Sequence, residues 1–406
     1  MTLRVICSVA LLPLLAILGF MMSGQSALAE QAKEETPEAP ISRQSGNPQN
    51  DGVPSVAACS EVQYRTLPSG NAQSGSGEEP DDDADTFATP PNSDGPTVVD
   101  FGLFITQITD INEVDGTFMV EGFMDLIWCD PRLAFDPEQS GSQEEAFLEA
   151  NAQARLDEIW WPDPRIVNAV GTRNIGNEAL TVGADGTTEY KESFSGQLST
   201  RYDLGKFPFD RQVVEIEIES FAWSHEHLVF HQADDKIGFS DDFEIPEWDT
   251  TEVRTNLEVV QGIRDRAPFS KFLMEIEVTR RYGFYIWKLL VPLVLIVGIS
   301  WAVFWMVSDS LGTRMQVSFT GILSAIAYQF LMNNDLPKIP EMTFMDSVIA
   351  FSFILMVFTI VESIIANSLY SQQKTQLAAT VDTASRVAFP LIYVVGLVAL
   401  VGVYLL

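Results

Sequence analysis

The last third of the chain carries four long, nearly uncharged apolar runs, Phe284 to Val307, Met315 to Met332, Phe344 to Leu369 and Ala388 to Leu406. At 1.5 Å of rise per helical residue each is long enough to cross about 30 Å of hydrocarbon. Inside hydrocarbon every backbone polar group must find an internal partner, so these runs predict spanning helices over 284–307, 314–333, 343–369 and 386–406. Residues 281–406 therefore read as an all-α, four-helix membrane domain with short links, including the one from Ser371 to Ser385.

The rest of the chain is of another kind. Its 406 residues exceed what one hydrophobic core holds, and the formal net charge of -32 falls almost wholly outside the apolar runs. Residues 1–29, with Arg4, an apolar stretch from Val5 to Phe20 and the pattern Ala27-Leu28-Ala29, read as a secretory signal peptide cut after Ala29. The apolar stretch is short for a membrane anchor. Export places residues 30–280 on the periplasmic or extracellular side, and four crossings return the C-terminus there.

Residues 30–95 are rich in Glu, Asp, Ser, Gly and Pro, and such a composition cannot bury enough apolar surface to offset its ordering entropy. An acidic, mostly disordered arm is expected. Of three cysteines, Cys7 leaves with the signal peptide. Cys59 and Cys129 then remain, either bonded or free, because spacing alone does not place their Cα atoms.

From Thr97 to Thr279 apolar and polar residues alternate in short runs. Examples are Val99, Phe101, Leu103 and Ile105, and Val214, Ile216 and Ile218 against Glu215, Glu217 and Glu219. Period-two alternation with turn signals such as Asp115-Gly116 and Asp185-Gly186 predicts many half-buried strands, and residues 96–280 read as a β-sandwich. Ser142 to Ile159 is the expected helical or loop insertion.

The second apolar run differs from its neighbours in carrying Gln316, Ser318, Thr320, Ser324, Tyr328 and Gln329. Polar side chains at membrane depth need protein partners or water. Steps of four and three residues give one stripe: Gln316, Thr320, Leu323, Ala327 and Phe330. Polar at one end and apolar from its middle, the stripe fits a ring of helices around a pore that closes by dewetting at Leu323. It equally fits hydroxyls and an amide bonding between helices of a non-conducting bundle.

Several motifs bear on that choice. Lys206-Phe207-Pro208-Phe209-Asp210-Arg211-Gln212 resembles the Phe-Pro-Phe-Asp signature of the pentameric ligand-gated ion channels. Trp128-Cys129-Asp130-Pro131-Arg132-Leu133 resembles that family's Trp-x-Asp-x-Arg-Leu strand, and Ile159-Trp160-Trp161-Pro162-Asp163, followed by Asn168, its Trp-x-Pro-Asp segment. Pro292, Leu336-Pro337 and Arg280 match as well, so the resemblance runs from about Val98 to Leu406. Thr200 and Val214 occupy the places of the two cysteines that give animal receptors their loop disulfide. With the short third link, this points to the bacterial type.

The resemblance implies an extracellular immunoglobulin-like β-sandwich and a four-helix transmembrane domain, assembled as a homopentamer around a central pore in a bacterial inner membrane. It implies coupling through Phe207, Pro208, Phe209, Asp210, Arg280, Leu336 and Pro337. It also implies a ligand site between subunits, on Phe123, Val167, Asn168, Ser220 and Phe221, with Arg264 and Arg266 on a capping loop.

Val167 stands where cholinergic receptors have an aromatic, so a quaternary amine, which needs several ring faces, fits poorly. An anionic ligand or protons, sensed by clustered carboxylates or by His225, His227 and His231, fit better. The expected partners are membrane lipid, four identical subunits, a small-molecule or proton agonist and permeant ions, with no nucleic acid and no cofactor. Asp309 and Asp335 near the pore mouths favour cations, while Gly312-Thr313-Arg314 lacks the glutamate of cation-selective relatives; an anion-selective channel and a non-conducting receptor are the alternatives. No metal-ligand spacing, nucleophile elbow or phosphate loop points to an enzyme, and four helices without an internal repeat do not suit a secondary transporter.

Overall fold

In the computed structural model the described residues are Cys59, 87–262, 267–306, 311–332 and 342–405. The signal peptide, most of the arm, Arg264, Arg266, Asp309, Asp335, Leu336 and Pro337 lie outside them. The described residues fall into two compact units, one drawn from 41–202 and 212–278, the other from 203–211 and 279–406.

The first unit is a sandwich. Its strands are β1 (Thr97–Asn112), β2 (Thr117–Cys129), β3 (Glu144–Leu148), β4 (Pro164–Ile166), β5 (Asn174–Gly183), β6 (Thr187–Ser199), β7 (Arg211–Ser220), β8 (Leu228–Gln232), β9 (Gly238–Phe239), β10 (Trp248–Gln261) and β11 (Pro268–Arg280). One sheet runs β3-β5-β6-β2-β1-β8 with β9 beside β1, and the other runs β10-β11-β7-β4.

Alternation places the inner residues: Val214, Ile216 and Ile218 of β7 are fully buried while the intervening glutamates look outward. They pack with Phe101, Trp128 and Met274 in one core drawn from both sheets. The expected insertion resolves into a strand, β3, paired with β5, and a short helix, α1 (Ala150–Leu156).

Cys59 and Cys129 form a disulfide, and the Cys59 amide donates to Thr187 Oγ1. Arg132 donates to the carbonyl of Thr89 at 2.9 Å and lies over the ring of Phe87. The described part of the arm is thus tied to the sandwich. Where animal receptors bridge the signature loop covalently, Thr200 Oγ1 donates to the carbonyl of Val213.

The second unit holds helices α2 (Gly283–Trp305), α3 (Leu311–Met332), α4 (Phe344–Ser371) and α5 (Thr375–Leu405), each long and apolar enough to cross a membrane. Helix α4 opens on a capping box of Thr343 and Asp346, which satisfies otherwise orphaned amides. Helix α5 starts well before residue 386, because the polar turns from Thr375 to Ser385 continue the helix beyond its apolar stretch. Only three residues separate it from α4.

Helix α2 is not uniform: residues 286–290 form a π segment just before Pro292. A proline has no N–H, so the carbonyl four residues back, that of Lys288, loses its helical partner. Tyr328 of α3 supplies one, its hydroxyl lying 2.7 Å from the Lys288 carbonyl and 2.8 Å from that of Leu289.

Candidate functional site

Three places carry the functional residues expected from sequence. The first is the outward face of α3. Arg314, Ser318 and Ala325 are buried against the other helices. At about 100° per residue, the stripe of Gln316, Thr320, Leu323, Ala327 and Phe330 lies on the opposite side. All five are exposed in the single chain, Leu323 at 67% and Phe330 at 71%. Helix α3 is covered over 17% of its apolar window and α5 over 11%, against 44% for α2 and 39% for α4.

Thr320 Oγ1 donates to the Gln316 carbonyl and Ser324 Oγ to that of Thr320, both at 2.8 Å. Their hydrogens are used within the helix, so these hydroxyls present oxygen lone pairs outward. Arg314 does not share this face. It is fully buried, with Nη2 3.0 Å from Glu362 Oε2 of α4 and 2.8 Å from Asp382 Oδ1 of α5. Helical phase turns it away from the stripe.

The second place is the loop 203–210 with the start of the helical unit. A cis peptide joins Phe207 to Pro208. Asp210 meets Arg280 through two bonds, Nε to Oδ1 at 2.8 Å and Nη2 to Oδ2 at 3.1 Å, with side-chain exposures of 1% and 0%. This is the parallel fork geometry in which guanidinium and carboxylate match best. The guanidinium also lies 4.9 Å from the Phe207 ring centre and donates to Tyr285 Oη. Phe209 packs on Tyr282 and on Phe344, the first residue of α4, whose amide donates to the Gly205 carbonyl. A strand end, a loop and a helix start thus converge on one buried ion pair.

The third place is the set expected to bind ligand, and the structure divides it. Phe123 and Phe221 are exposed at 48% and 45%. Phe123 is the register partner of Phe104 on β1, itself 37% exposed. Sequence reasoning misses Phe104, although an aromatic on the polar phase of the β1 alternation is a usable signal. The guanidinium of Arg165 already covers the Phe221 ring at 5.6 Å.

The polar atoms of Asn168 and Ser220 are engaged within the fold. The Asn168 amide donates to the carbonyls of Ser199 and Glu215 and accepts from the Glu217 amide, while Ser220 Oγ donates to the Pro162 carbonyl and accepts from the Trp223 amide. Val167 is half-buried, its amide donating to the Glu217 carbonyl.

Carboxylates with displaced titration also lie in the sandwich. Tyr190 Oη is 2.8 Å from both Glu178 Oε1 and Glu192 Oε2, and a phenol has one hydrogen for the two. Burial pushes the Glu192 carboxyl upward, with nearby Arg173 opposing. Burial, then Glu217 and Glu275, raise Glu215.

Residues 82–282 match the family described as neurotransmitter-gated ion-channel ligand binding domain, and residues 289–392 match the neurotransmitter-gated ion-channel transmembrane region. The chain is 28% identical over 308 residues to a proton-gated ion channel of Gloeobacter violaceus, covering 76% of this chain and 83% of that one. It is 26% identical over 290 residues to the gamma-aminobutyric acid receptor subunit theta of Mus musculus, covering 70% of this chain and 44% of that one. Sandwich and spanning helices are both accounted for, and the chain belongs to the neurotransmitter-gated family of pentameric ligand-gated ion channels, which are not enzymes.

Proposed function

We propose that five copies of this chain form a cation-conducting channel of a bacterial inner membrane, opened from the extracellular side by protons or a small anionic ligand. The observation that carries this is the α3 face: a stripe polar at one end and apolar from Leu323 onward, left uncovered by the described residues of its own chain and opposite the packed side. In a ring of five, such a stripe lines a water path that dries and closes at Leu323. The outward lone pairs of Thr320 and the inward turn of Arg314 favour cations over the anion-selective alternative.

Opening then requires a change in the sandwich to reach α3. Asp210 and Arg280 are the central link, with Phe207, Pro208 and Phe209 beside them and Leu336 and Pro337 as the expected receivers after the pore helix. An amine ligand is disfavoured because the Phe221 face is occupied by Arg165. Protons draw support from the raised carboxyls of Glu192 and Glu215, and from the relative named as proton-gated.

The experiment is to reconstitute the full chain in planar bilayers under asymmetric KCl. Currents are recorded while pH is stepped and small acids and amines are screened. Expected is a gated current reversing near the potassium equilibrium potential. Reversal at the chloride potential would move the channel to the anionic class, and no current under any stimulus would favour a non-conducting receptor.

A further inference from the structure

Helices α4 and α5 each contribute one acid to the buried end of α3, and neither acid lies on the outward stripe. We infer that Glu362 and Asp382 form a clamp that keeps Arg314 out of the conduction path and thereby sets the sign of the ion that passes. This rests on α3 lining the pore.

Arg314 lies in the first turn of α3, where the helix dipole disfavours a cation. An isolated buried guanidinium is costly, so it needs partners. Nη2 finds both, Glu362 Oε2 at 3.0 Å and Asp382 Oδ1 at 2.8 Å, and none of the three side chains is more than 7% exposed. The antiparallel run of α3, α4 and α5 brings the three to the same end of the bundle. Gln316, the first residue of the stripe, is two positions on and about 200° round the helix.

Without the two acids, a long, flexible arginine in the first turn of α3 would extend its charged head to water at that end of the helix, which on the pore reading is the inner mouth where the stripe begins. Five such heads would make a positive ring that repels cations. Glu362 and Asp382 therefore act as positioning residues for selectivity without meeting the ion.

The test uses the full chain carrying Leu323→Ser, which wets the constriction and makes conduction independent of agonist, in planar bilayers under asymmetric KCl. Glu362→Gln with Asp382→Asn is expected to lower the potassium-to-chloride permeability ratio at least tenfold, and adding Arg314→Gln is expected to restore it. An unchanged ratio in the double variant would overturn the inference.

Thiol accessibility decides the same question if that variant does not assemble. With both acids neutralised and position 314 itself uncharged, Arg314→Cys should react with a cationic methanethiosulfonate at least tenfold more slowly than Gln316→Cys. Equal rates would overturn the inference while leaving the pore stripe intact. Unreactive Gln316→Cys in channels that never conduct would overturn the pore reading and the inference together.

Discussion

Replacing Asp210 with Asn separates coupling from mere anchoring. The two bonds to Arg280, at 2.8 and 3.1 Å, are made between side chains that solvent barely touches. An amide of the same shape keeps one acceptor but turns an N–H donor toward a guanidinium that has only donors to offer. Breaking one side of a buried pair costs about 3 to 5 kcal/mol. At about 1.4 kcal/mol per factor of ten, that is two to nearly four powers of ten in whichever equilibrium the pair supports.

If the pair is tighter in the conducting state, the loss falls on opening: pentamers should reach the membrane in normal amount and evoked current should vanish. The assay counts pentamers by native electrophoresis of surface-labelled protein and records current from the same preparation. Arg280→Lys, which keeps the charge but loses the fork and the stacking on Phe207, should be intermediate. A fall in pentamers with normal current per channel would refute the coupling role and leave the pair as an anchor.

Three further outcomes are expected. Leu323→Ser, at a position 67% exposed in the single chain, should assemble normally and give spontaneous current; a silent channel would argue against a constriction there. Cys59→Ser opens a covalent loop spanning 70 residues and should cost about 4 kcal/mol of sandwich stability, read as a lower melting temperature that reducing agent reproduces in the wild type. Glu192 has a folded pKa raised by burial, so its contribution to stability is fully present below its unfolded value of 4.5 and is lost as pH rises through the higher folded value. Melting of the full chain should thus weaken as pH climbs above the ordinary carboxylate range, and Glu192→Gln should flatten that slope; an unaltered slope would assign it to Asp125, Asp163 or Glu215 instead.

Much of this is legible in the residues themselves. Alternation in β7 identifies Val214, Ile216 and Ile218 as inward because a strand has only two faces, and the stripe on α3 emerges from helical spacing alone. Hydropathy misplaces the start of α5, because it senses hydrocarbon and the helix continues through the polar turns after Thr375. Counting from motifs points to Asn168 and Ser220 for the ligand site, yet counting cannot reveal that their side chains already donate to the distant carbonyls of Ser199, Glu215 and Pro162. Arg314 escapes for a related reason: its partners lie 48 and 68 residues away, and no local pattern announces them.

The hydroxyl that Tyr328 lends to the carbonyl vacated by Pro292 has a mechanical consequence. Lipid offers no substitute donor, so any tilt that pulls α3 from α2 at that level must break a bond nothing nearby replaces. Helix α3 is thereby hinged to α2 at a polar rivet near Tyr328, and movement of α3 is steered toward pivoting about that point. A phenylalanine at 328 would keep the ring and remove the pivot.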